Sequence, residues 1–485
     1  MHSIIYNPPA NNKDTMHSRR TIKTVISVAM CAAACTLSSA FAAAQGAQPA
    51  AAPVAAKPAV LVGDDFFAHV NGDWLAKTEI PSDRASWGAG AMLAEDANTR
   101  LVELIEAIRG DRKAGAEARK IAAFYQAFMD EAAIEAKGAT PLKPLLAKID
   151  AISDKAALTQ ALGASLRADV DPLNNTNFFT ENRFGVWIAQ GFDDPAHNTA
   201  YLLQGGLGMP ERAYYLTDSV KMAELRSQYR QHIKAMLALA GYANAEARAA
   251  KVFALETAIA TSHATRDASA DVLKANNHWR LKDFGANAPG IDWPAFFNSA
   301  KLGKQDKFIV WHPGAVKGAA ALVAGTDLAT WKDFLAFHQI NHVAPNLSKA
   351  FVDQHFAFYG TALSGTPEQS LRWKRALAAT NVALDMPVGH FSLGAAYDAY
   401  HAYHAALGAK AVRANADPQF FIGYAQSWRT KLREAARRRG VLTDSHAPAS
   451  YRTATVRNID AWYRAFDVQP GQALYLPPAE RVRVW

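Results

Sequence analysis

The spacing of apolar residues has the period of an α-helix along most of the chain, and this pattern constrains the fold more than any other feature. It is clearest at Ile121, Phe124, Tyr125, Phe128 and Met129, which recur at i, i+3, i+4, i+7 and i+8. Residues with this spacing lie on one face of a helix. The pattern therefore predicts a helix that turns all five side chains toward a core.

Further helices are predicted over residues 220–265 and after Asp417. In the first, Val252, Leu255 and Ile259 share one face. In the second, Asp417 is the predicted N-cap of a single helix that ends at Gly440. Its predicted core stripe contains Phe420, Phe421, Tyr424, Trp428 and Leu432, and its predicted last turn contains Arg437, Arg438 and Arg439.

Two short segments between the helical blocks have the character of β-strands. Residues 184–188 (FGVWI) and 199–203 (TAYLL) are rich in β-branched and aromatic residues, and a glycine-rich loop follows at residues 204–210. The sequence thus predicts a fold that is mainly α with a minor β component.

Charge and cysteine content exclude several classes of protein. The 485 residues carry 52 Lys and Arg against 44 Asp and Glu, a net charge of +8, of which +3 lies within residues 1–44. The remaining +5 is diffuse, so no nucleic-acid partner is expected. The two cysteines, Cys31 and Cys35, both lie near the N-terminus. This distribution excludes a disulfide framework and a cysteine zinc site in the body.

The N-terminal residues have the layout of a secretory signal. A basic start after Met16 precedes an apolar run over residues 25–44, which contains an Ala-Phe-Ala cleavage-type tripeptide. We interpret residues 1–44 as a signal peptide and the Ala/Pro-rich residues 45–60 as a tether. The expected location is periplasmic or secreted, with no stable membrane span after cleavage. An uncleaved membrane anchor is the alternative, and a lipoprotein through Cys31 or Cys35 is less favoured.

Histidine pairs are the remaining candidates for a metal site, because nucleotide-binding and serine-hydrolase motifs do not occur. His338 and His342 are four residues apart, but Gln339 stands where an H-E-x-x-H motif carries its catalytic Glu. We interpret them as a pair on a helix surface. His401 and His404 are three residues apart, and we assign them to an ordinary aromatic helix face.

Several collinear blocks resemble the neprilysin-like family of zinc metallopeptidases. They are residues 64–75 (DDFFAHVNGDWL), 80–84 (IPSDR), 204–215 (QGGLGMPERAYY), 254–257 (ALET), 347–351 (LSKAF), 363–367 (LSGTP), 372–375 (RWKR), 420–428 (FFIGYAQSW), 444–448 (DSHAP), 451–452 (YR) and 481–485 (RVRVW). The resemblance implies a large helical region over residues 61–388 and, over residues 389–485, the C-terminal remnant of a thermolysin-like catalytic lobe. It also implies peptides or small proteins as partners and zinc as the family cofactor.

The chain departs from the family where the catalytic centre is expected. In the family, the RWKR block precedes a long segment with an N-A-Y-Y-type strand, H-E-x-x-H and E-N-x-x-D. Here residues 381–384 are followed almost at once by residues 390–400 (HFSLGAAYDAY), which resemble the helix after E-N-x-x-D. About two hundred residues are therefore absent at a junction near residues 385–392. With the zinc ligands missing, we expect no bound zinc and no peptide hydrolysis by the family mechanism.

Two functional positions of the family are retained. His446 matches the histidine that stabilises the oxyanion formed during peptide hydrolysis, and Arg452 matches the arginine that binds the substrate backbone or carboxylate. Three interpretations stay open: an inactive relative of an exported zinc endopeptidase, a non-catalytic peptide-binding or interaction protein, and a truncated or misassembled gene product.

Overall fold

A computed structural model describes residues 60–482, except residues 110, 112, 170–178, 385–415 and 445. The predicted signal peptide, the tether up to residue 59, the predicted junction, and His401 and His404 lie outside the described residues. In the described part of the chain, no helix is both long enough and apolar enough to cross a membrane.

Helices make up most of the described chain. In chain order the α-helices are α1 Phe66–Lys77, α2 Ala89–Ile108, α3 Ala116–Met129, α4 Glu131–Lys137, α5 Lys143–Asp150, α6 Lys155–Ala164, α7 Ala213–Leu216, α8 Val220–Leu239, α9 Ala245–Ser262, α10 Arg266–Ala270, α11 Val272–Ala275, α12 Phe284–Asn287, α13 Trp293–Ser299, α14 Pro313–Gly325, α15 Leu328–Val343, α16 Lys349–His355, α17 Arg372–Ala383, α18 Ala416–Ser427, α19 Glu434–Thr443, α20 Ala449–Thr453 and α21 Asp460–Phe466. A π-helical stretch, Phe356–Ala362, continues α16.

Strands form two small sheets within the described residues. They are β1 Ser86–Gly88, β2 Phe184–Gln190, β3 Asn198–Gln204, β4 His278–Arg280, β5 Lys307–Val310 and β6 Thr430–Leu432. One sheet has the order β2-β3-β5-β4, in which β2 and β3 form an antiparallel pair and β3 and β5 run parallel. The other sheet pairs β1 with β6 in antiparallel fashion. The predicted fold class, mainly α with a minor β component, is confirmed.

Aspartate side chains cap the start of several helices. The carboxylates of Asp65, Asp154 and Asp327 accept hydrogen bonds from backbone N–H groups three residues later, at 2.9, 2.8 and 2.8 Å. Each bond satisfies a donor that the first helical turn leaves without a partner. Local sequence therefore determines where α1, α6 and α15 begin.

The predicted stripe on α3 is correct for four of its five residues. Ile121 and Tyr125 are buried, and Phe128 and Met129 pack against the same small core, which α3 shares with α2 and α17. Phe124 is 39% exposed, so its predicted place in the core is wrong. Among the described residues, only one side of α3 packs against other helices. The face of α3 that is buried is therefore narrower than the apolar stripe in the sequence.

The predictions for residues 184–265 are confirmed. Residues 184–188 and 199–203 lie in β2 and β3, and the helical block comprises α8 and α9. The side chains of Val252, Leu255 and Ile259 are all buried. They belong to the main hydrophobic core, which also includes one face of the β2–β3 pair.

The single helix predicted after Asp417 is wrong. The chain forms α18, then β6, then α19, which continues past Gly440 to Thr443, and Asp417 lies inside α18 rather than at its N-cap. The physical reason is a long-range pairing. Residues 430–432 pair with β1, and the paired residues are 346 positions apart at Ser86↔Leu432 and 342 at Gly88↔Thr430. The three arginines predicted at the helix end lie in the middle of α19.

The first helix shares a hydrophobic core with the C-terminal part of the chain. Phe66 of α1 packs against Trp462 of α21, with 5.5 Å between ring centroids. Phe421 of α18 belongs to the same cluster, and Asn71 Nδ2 donates a hydrogen bond of 3.0 Å to the carbonyl oxygen of Ala425. This core holds in place the segment that carries His446 and Arg452.

Candidate functional site

His446 lies in the loop between α19 and α20, and its side chain is 71% exposed. Asp444 Oδ1 accepts a hydrogen bond of 2.9 Å from the backbone N–H of His446 and lies 2.9 Å from its Nδ1. The backbone hydrogen bond is the main cause that lowers the pKa of Asp444. An imidazole held at Nδ1 by a carboxylate presents its Nε2 outward, which is the arrangement that oxyanion stabilisation needs.

Arg452 is half-buried in α20, and its guanidinium group is oriented from two sides. Its Nε donates a hydrogen bond of 2.9 Å to the carbonyl oxygen of Ala447. Its guanidinium carbon lies 4.7 Å from the ring centroid of Trp428, within cation–π range. Among the described residues, the two Nη groups have no hydrogen-bond partner. Arg452 therefore presents an oriented pair of donors, and its substrate-binding role, like the role of His446, stays a prediction.

The described residues do not fit the zinc ion that the resemblance implies. In that part of the chain, no three His, Cys, Asp or Glu side chains converge in a way that could hold a metal ion. The 485 residues also contain no His-Glu pair with which an H-E-x-x-H motif could begin. A family-type zinc site needs three such ligands around the metal.

The interpretation of His338 and His342 as a helix-surface pair is wrong for His338. His342 is exposed, with 76% of its side chain accessible, and it lies 3.8 Å from Glu181. His338 is buried, and its Nε2 lies 2.9 Å from Oε1 of Glu256. The two imidazoles, one turn apart on α15, thus face different surroundings, because only one side of this end of the helix packs against α9.

Glu256 is the centre of a buried polar network that the sequence did not reveal. Its carboxylate is fully buried on α9 and accepts hydrogen bonds from Tyr215 Oη at 2.5 Å and Tyr229 Oη at 3.1 Å, in addition to the contact with His338. Burial and the charge of Glu256 raise the pKa of both tyrosines well above 10. The only signal in the sequence was that Glu256 interrupts the apolar face of a predicted helix.

The same network is tied to the glycine-rich loop after β3. The hydroxyl of Tyr215 accepts a hydrogen bond of 3.0 Å from the backbone N–H of Met209. The hydroxyl of Tyr229 lies so close to Gly208 that a Cβ there would approach it to 1.8 Å. The absence of a side chain at Gly208 is therefore a packing requirement of the network.

Family models place the chain in a known class of proteins. The N-terminal model of peptidase family M13 matches residues 62–405, and a second model of the same family matches residues 374–482. The chain therefore belongs to peptidase family M13, a family of zinc metallopeptidases, and the predicted resemblance is confirmed.

Curated relatives include endothelin-converting enzymes. The chain is 23% identical to endothelin-converting enzyme 1 of Cavia porcellus over 343 residues, which are 68% of this chain and 44% of that protein. It is 23% identical to human endothelin-converting enzyme-like 1 over 301 residues, which are 59% of this chain and 38% of that protein. The chain thus spans less than half the length of these relatives.

Solved structures show the same fold. The zinc metalloprotease ZMP1 of Mycobacterium tuberculosis, in complex with an inhibitor, superposes with a TM-score of 0.74 at 21% identity, covering 88% of this chain and 98% of that chain. PEPO from Lactobacillus rhamnosis HN001 superposes with a TM-score of 0.68 at 16% identity, covering 87% and 99%. At these identities the similarity establishes the fold alone.

Proposed function

We propose that this chain is an exported member of peptidase family M13 that does not hydrolyse peptides by the zinc mechanism of its family. The observation that carries the proposal is the short connection after α17. In the family pattern, the zinc-binding segment follows the RWKR block, and here only residues 384–415 separate α17 from α18. No H-E-x-x-H motif occurs in those residues or elsewhere in the chain.

The loss of the metal ligands removes two chemical functions together. A catalytic zinc ion generates the hydroxide nucleophile and polarises the scissile carbonyl. His446 can donate a hydrogen bond to an oxyanion, but an imidazole at this position supplies neither a nucleophile nor a Lewis acid. The chain thus retains a residue suited to stabilising the transition state, His446, but lacks the groups that would generate the nucleophile.

We expect the purified chain to bind much less than one zinc ion per molecule and to leave fluorogenic peptides uncut. The peptides should carry a hydrophobic residue after the scissile bond, because the resemblance implies cleavage on the amino side of such residues. Metal analysis after incubation with zinc and dialysis, together with fluorescence assays with and without a chelator, checks this. A family member that has H-E-x-x-H serves as the positive control.

Stoichiometric zinc with chelator-sensitive cleavage would contradict the proposal and would make His338, His342, His401 and His404 the ligands to test. Circular dichroism of the same sample tests the interpretation that the chain is a truncated gene product. Helical signal without a cooperative thermal transition would favour the truncated gene product. Export is checked by N-terminal sequencing of protein recovered outside the cytoplasm, which should begin after the apolar run.

A second candidate function is peptide binding without turnover, and the geometry of Arg452 favours it. Trp428 and the carbonyl oxygen of Ala447 hold the guanidinium in one orientation. Less conformational freedom is then lost when its Nη groups bind a peptide carbonyl or carboxylate.

If peptides bind, Arg452→Ala should weaken their affinity by roughly 10- to 100-fold, the range expected for hydrogen bonds to a charged group. Fluorescence polarisation with a labelled peptide measures the effect. Arg464→Ala is the matched control, because Arg464 is an exposed arginine on the neighbouring α21. An equal loss in both variants would assign the effect to net charge and contradict a specific role for Arg452.

A further inference from the structure

Arg183, the residue before β2, is a buried cation whose charge no carboxylate of the described residues balances. Its side chain is packed inside the protein, with 2% of the residue exposed. Its Nη1 donates a hydrogen bond of 2.8 Å to the carbonyl oxygen of Gly205, and its guanidinium carbon lies 5.1 Å from the centroid of the Phe184 ring. Its Nε and Nη2 are buried and have no hydrogen-bond partner among the described residues.

These two nitrogens form one edge of the guanidinium group, the edge that binds anions with two parallel hydrogen bonds. Two exposed arginines of this protein use the same edge to bind a carboxylate. Arg167 donates from Nε and Nη2 to the two oxygens of Asp169 at 2.9 and 3.2 Å, and Arg280 donates from Nε and Nη2 to Oδ2 of Asp306 at 2.8 and 2.5 Å. The same edge of Arg183 has no acceptor among the described residues.

The neighbouring His263 supplies no negative charge to balance that of Arg183. Burial lowers the pKa of His263 well below 6.5, and the charge of Arg183 lowers it further. His263 Nε2 lies 3.2 Å from the same Gly205 carbonyl oxygen that Arg183 binds. Gly206 has a φ of +88°, and a Cβ there would approach Cα and Cδ of Arg183 to 3.2 Å.

A buried charge without a counter-charge is costly, and proteins compensate for such a charge by deprotonation or by binding a counter-ion. Deprotonation does not resolve this case at neutral pH. Burial lowers the pKa of Arg183 only to about 9, so its guanidinium still carries its proton at pH 7. A bound anion is the remaining way to balance the charge.

We propose that the Nε–Nη2 edge of Arg183 binds a small monovalent inorganic anion of the chloride class. The ligand must be small, because Arg183 lies in the packed interior. Surface cavities of the described body, such as one of about 610 Å³ beside Ala235 and Ala350 and one of about 560 Å³ beside Trp187 and Tyr201, are lined by other residues.

The anion would connect three parts of the fold: the start of β2, the loop after β3, and the end of α9 through His263. A ligand that binds only the folded state raises stability in proportion to its occupancy. The protein should therefore be more stable in chloride than in a bulky anion of equal ionic strength. This inference does not depend on the proposed function, since neither zinc nor peptide takes part.

The test is the thermal midpoint of the full chain at pH 7.5 in sodium gluconate, with gluconate replaced stepwise by chloride or bromide at constant ionic strength. We expect a saturable rise of about 2 °C or more with both halides. Arg183→Gln should abolish the dependence. Arg230→Gln is the matched control, because Arg230 also lies over a phenylalanine ring, at 5.6 Å from Phe253, but on the surface, and it should retain the full rise.

Because Arg183→Gln could fail to fold, the wild-type chain supplies an independent measurement. Crystals grown in bromide should show an anomalous scattering peak within hydrogen-bond distance of both Nε and Nη2. A water molecule at that edge with no anomalous signal would overturn the proposal. A thermal midpoint that stays constant when gluconate is replaced by halide would also overturn it.

Discussion

Lowering the pH from 7.5 to 5 should destabilise the protein strongly, because buried neutral histidines must gain protons when the chain unfolds. His232 and His312 are almost completely buried, with 0% and 2% of each residue exposed. Burial lowers the pKa of His232 to about 4 and that of His312 to about 3. In the unfolded chain, both side chains titrate near pH 6.5.

The direction of the effect follows from these values. Well above pH 6.5, neither the folded nor the unfolded chain binds a proton at His232 or His312, so these two residues do not reduce the free energy of unfolding. Below pH 6.5 these histidines are protonated in the unfolded chain but not in the folded protein. Each of them then lowers the free energy of unfolding by about 1.4 kcal/mol per pH unit. At pH 5 the two histidines together cost about 4 kcal/mol, a large part of the roughly 5–15 kcal/mol that stabilises a typical domain.

The hydrogen bonds of His232 explain why its imidazole stays neutral in the folded protein. Its Nε2 lies 2.9 Å from Asn341 Oδ1, and its Nδ1 accepts from Gln354 Nε2 at 3.3 Å. Both ring nitrogens are thus satisfied in the neutral form. A second ring proton on Nδ1 would point at the amide donor of Gln354.

His338 has the opposite effect on stability and reduces the total loss on acidification. Burial disfavours its charged form, but the hydrogen bond and the charge of Glu256 outweigh burial and raise its pKa above 6.5. The contribution of His338 to the free energy of unfolding is largest below pH 6.5, and it is lost as the pH rises through the pKa of His338 in the folded protein. The net loss on acidification should remain, because His263 and His355 also have lowered pKa values.

Denaturant midpoints at pH 7.5, 6 and 5, followed by circular dichroism, measure this dependence. His232→Gln combined with His312→Gln should flatten it, although that variant is less stable at pH 7.5. His197→Gln is the control, because His197 lies on the surface and pairs with Asp194. A stability that does not change between pH 7.5 and pH 5 would contradict the assignment of neutral buried histidines.

Glu256→Leu should cost about 3–5 kcal/mol, the largest effect that we expect from a single substitution. The leucine side chain fills much of the same volume but accepts no hydrogen bond. Tyr215, Tyr229 and His338 would then lose a shared acceptor in the interior, where water cannot replace it. The loop after β3 should loosen as well, since Tyr215 also binds the backbone of Met209.

Glu256→Gln separates the hydrogen bonds from the charge. The amide keeps one acceptor oxygen but places an NH₂ group against the remaining donors, so we expect a smaller loss than for Glu256→Leu. It should also remove the rise in the pKa of His338, which NMR titration of the His338 ring measures. Glu246→Gln on the same helix is the control, because Glu246 is exposed and pairs with Lys234 at the surface. Its effect should stay within about 0.5 kcal/mol.

A normal stability of Glu256→Leu would contradict the network as the structure shows it. Smaller losses are expected for Tyr215→Phe and Tyr229→Phe, because each variant leaves the carboxylate with its other donors. Tyr229→Phe removes the hydrogen bond to Glu256, and Tyr215→Phe removes the hydrogen bonds to Glu256 and from Met209 N–H. Each should cost about 1–2 kcal/mol. The difference in lost stability between Glu256→Leu and the tyrosine variants therefore indicates how many donors share the Glu256 carboxylate.

Patterns within a few turns or strands were predictable from the sequence. The periodicity on α9 and the β-branched character of β2 and β3 were sufficient to predict those elements, because each depends on contacts between near neighbours. Collinear blocks from residue 64 to the C-terminus were sufficient for the family. His446 and Arg452 were assigned through those blocks alone, and their local geometry carries no signal that periodicity could reveal.

Only the tertiary structure decided which polar residues are buried and what they contact. Residues 82 positions apart form the Glu256–His338 pair, and β6 pairs with β1 from the other end of the chain, which divides the predicted C-terminal helix. The same is true of Arg183, whose isolation depends on every element packed around it. Local sequence sets periodicity and helix starts, whereas burial and charge balance depend on contacts between distant segments, which a single sequence does not encode in any local pattern.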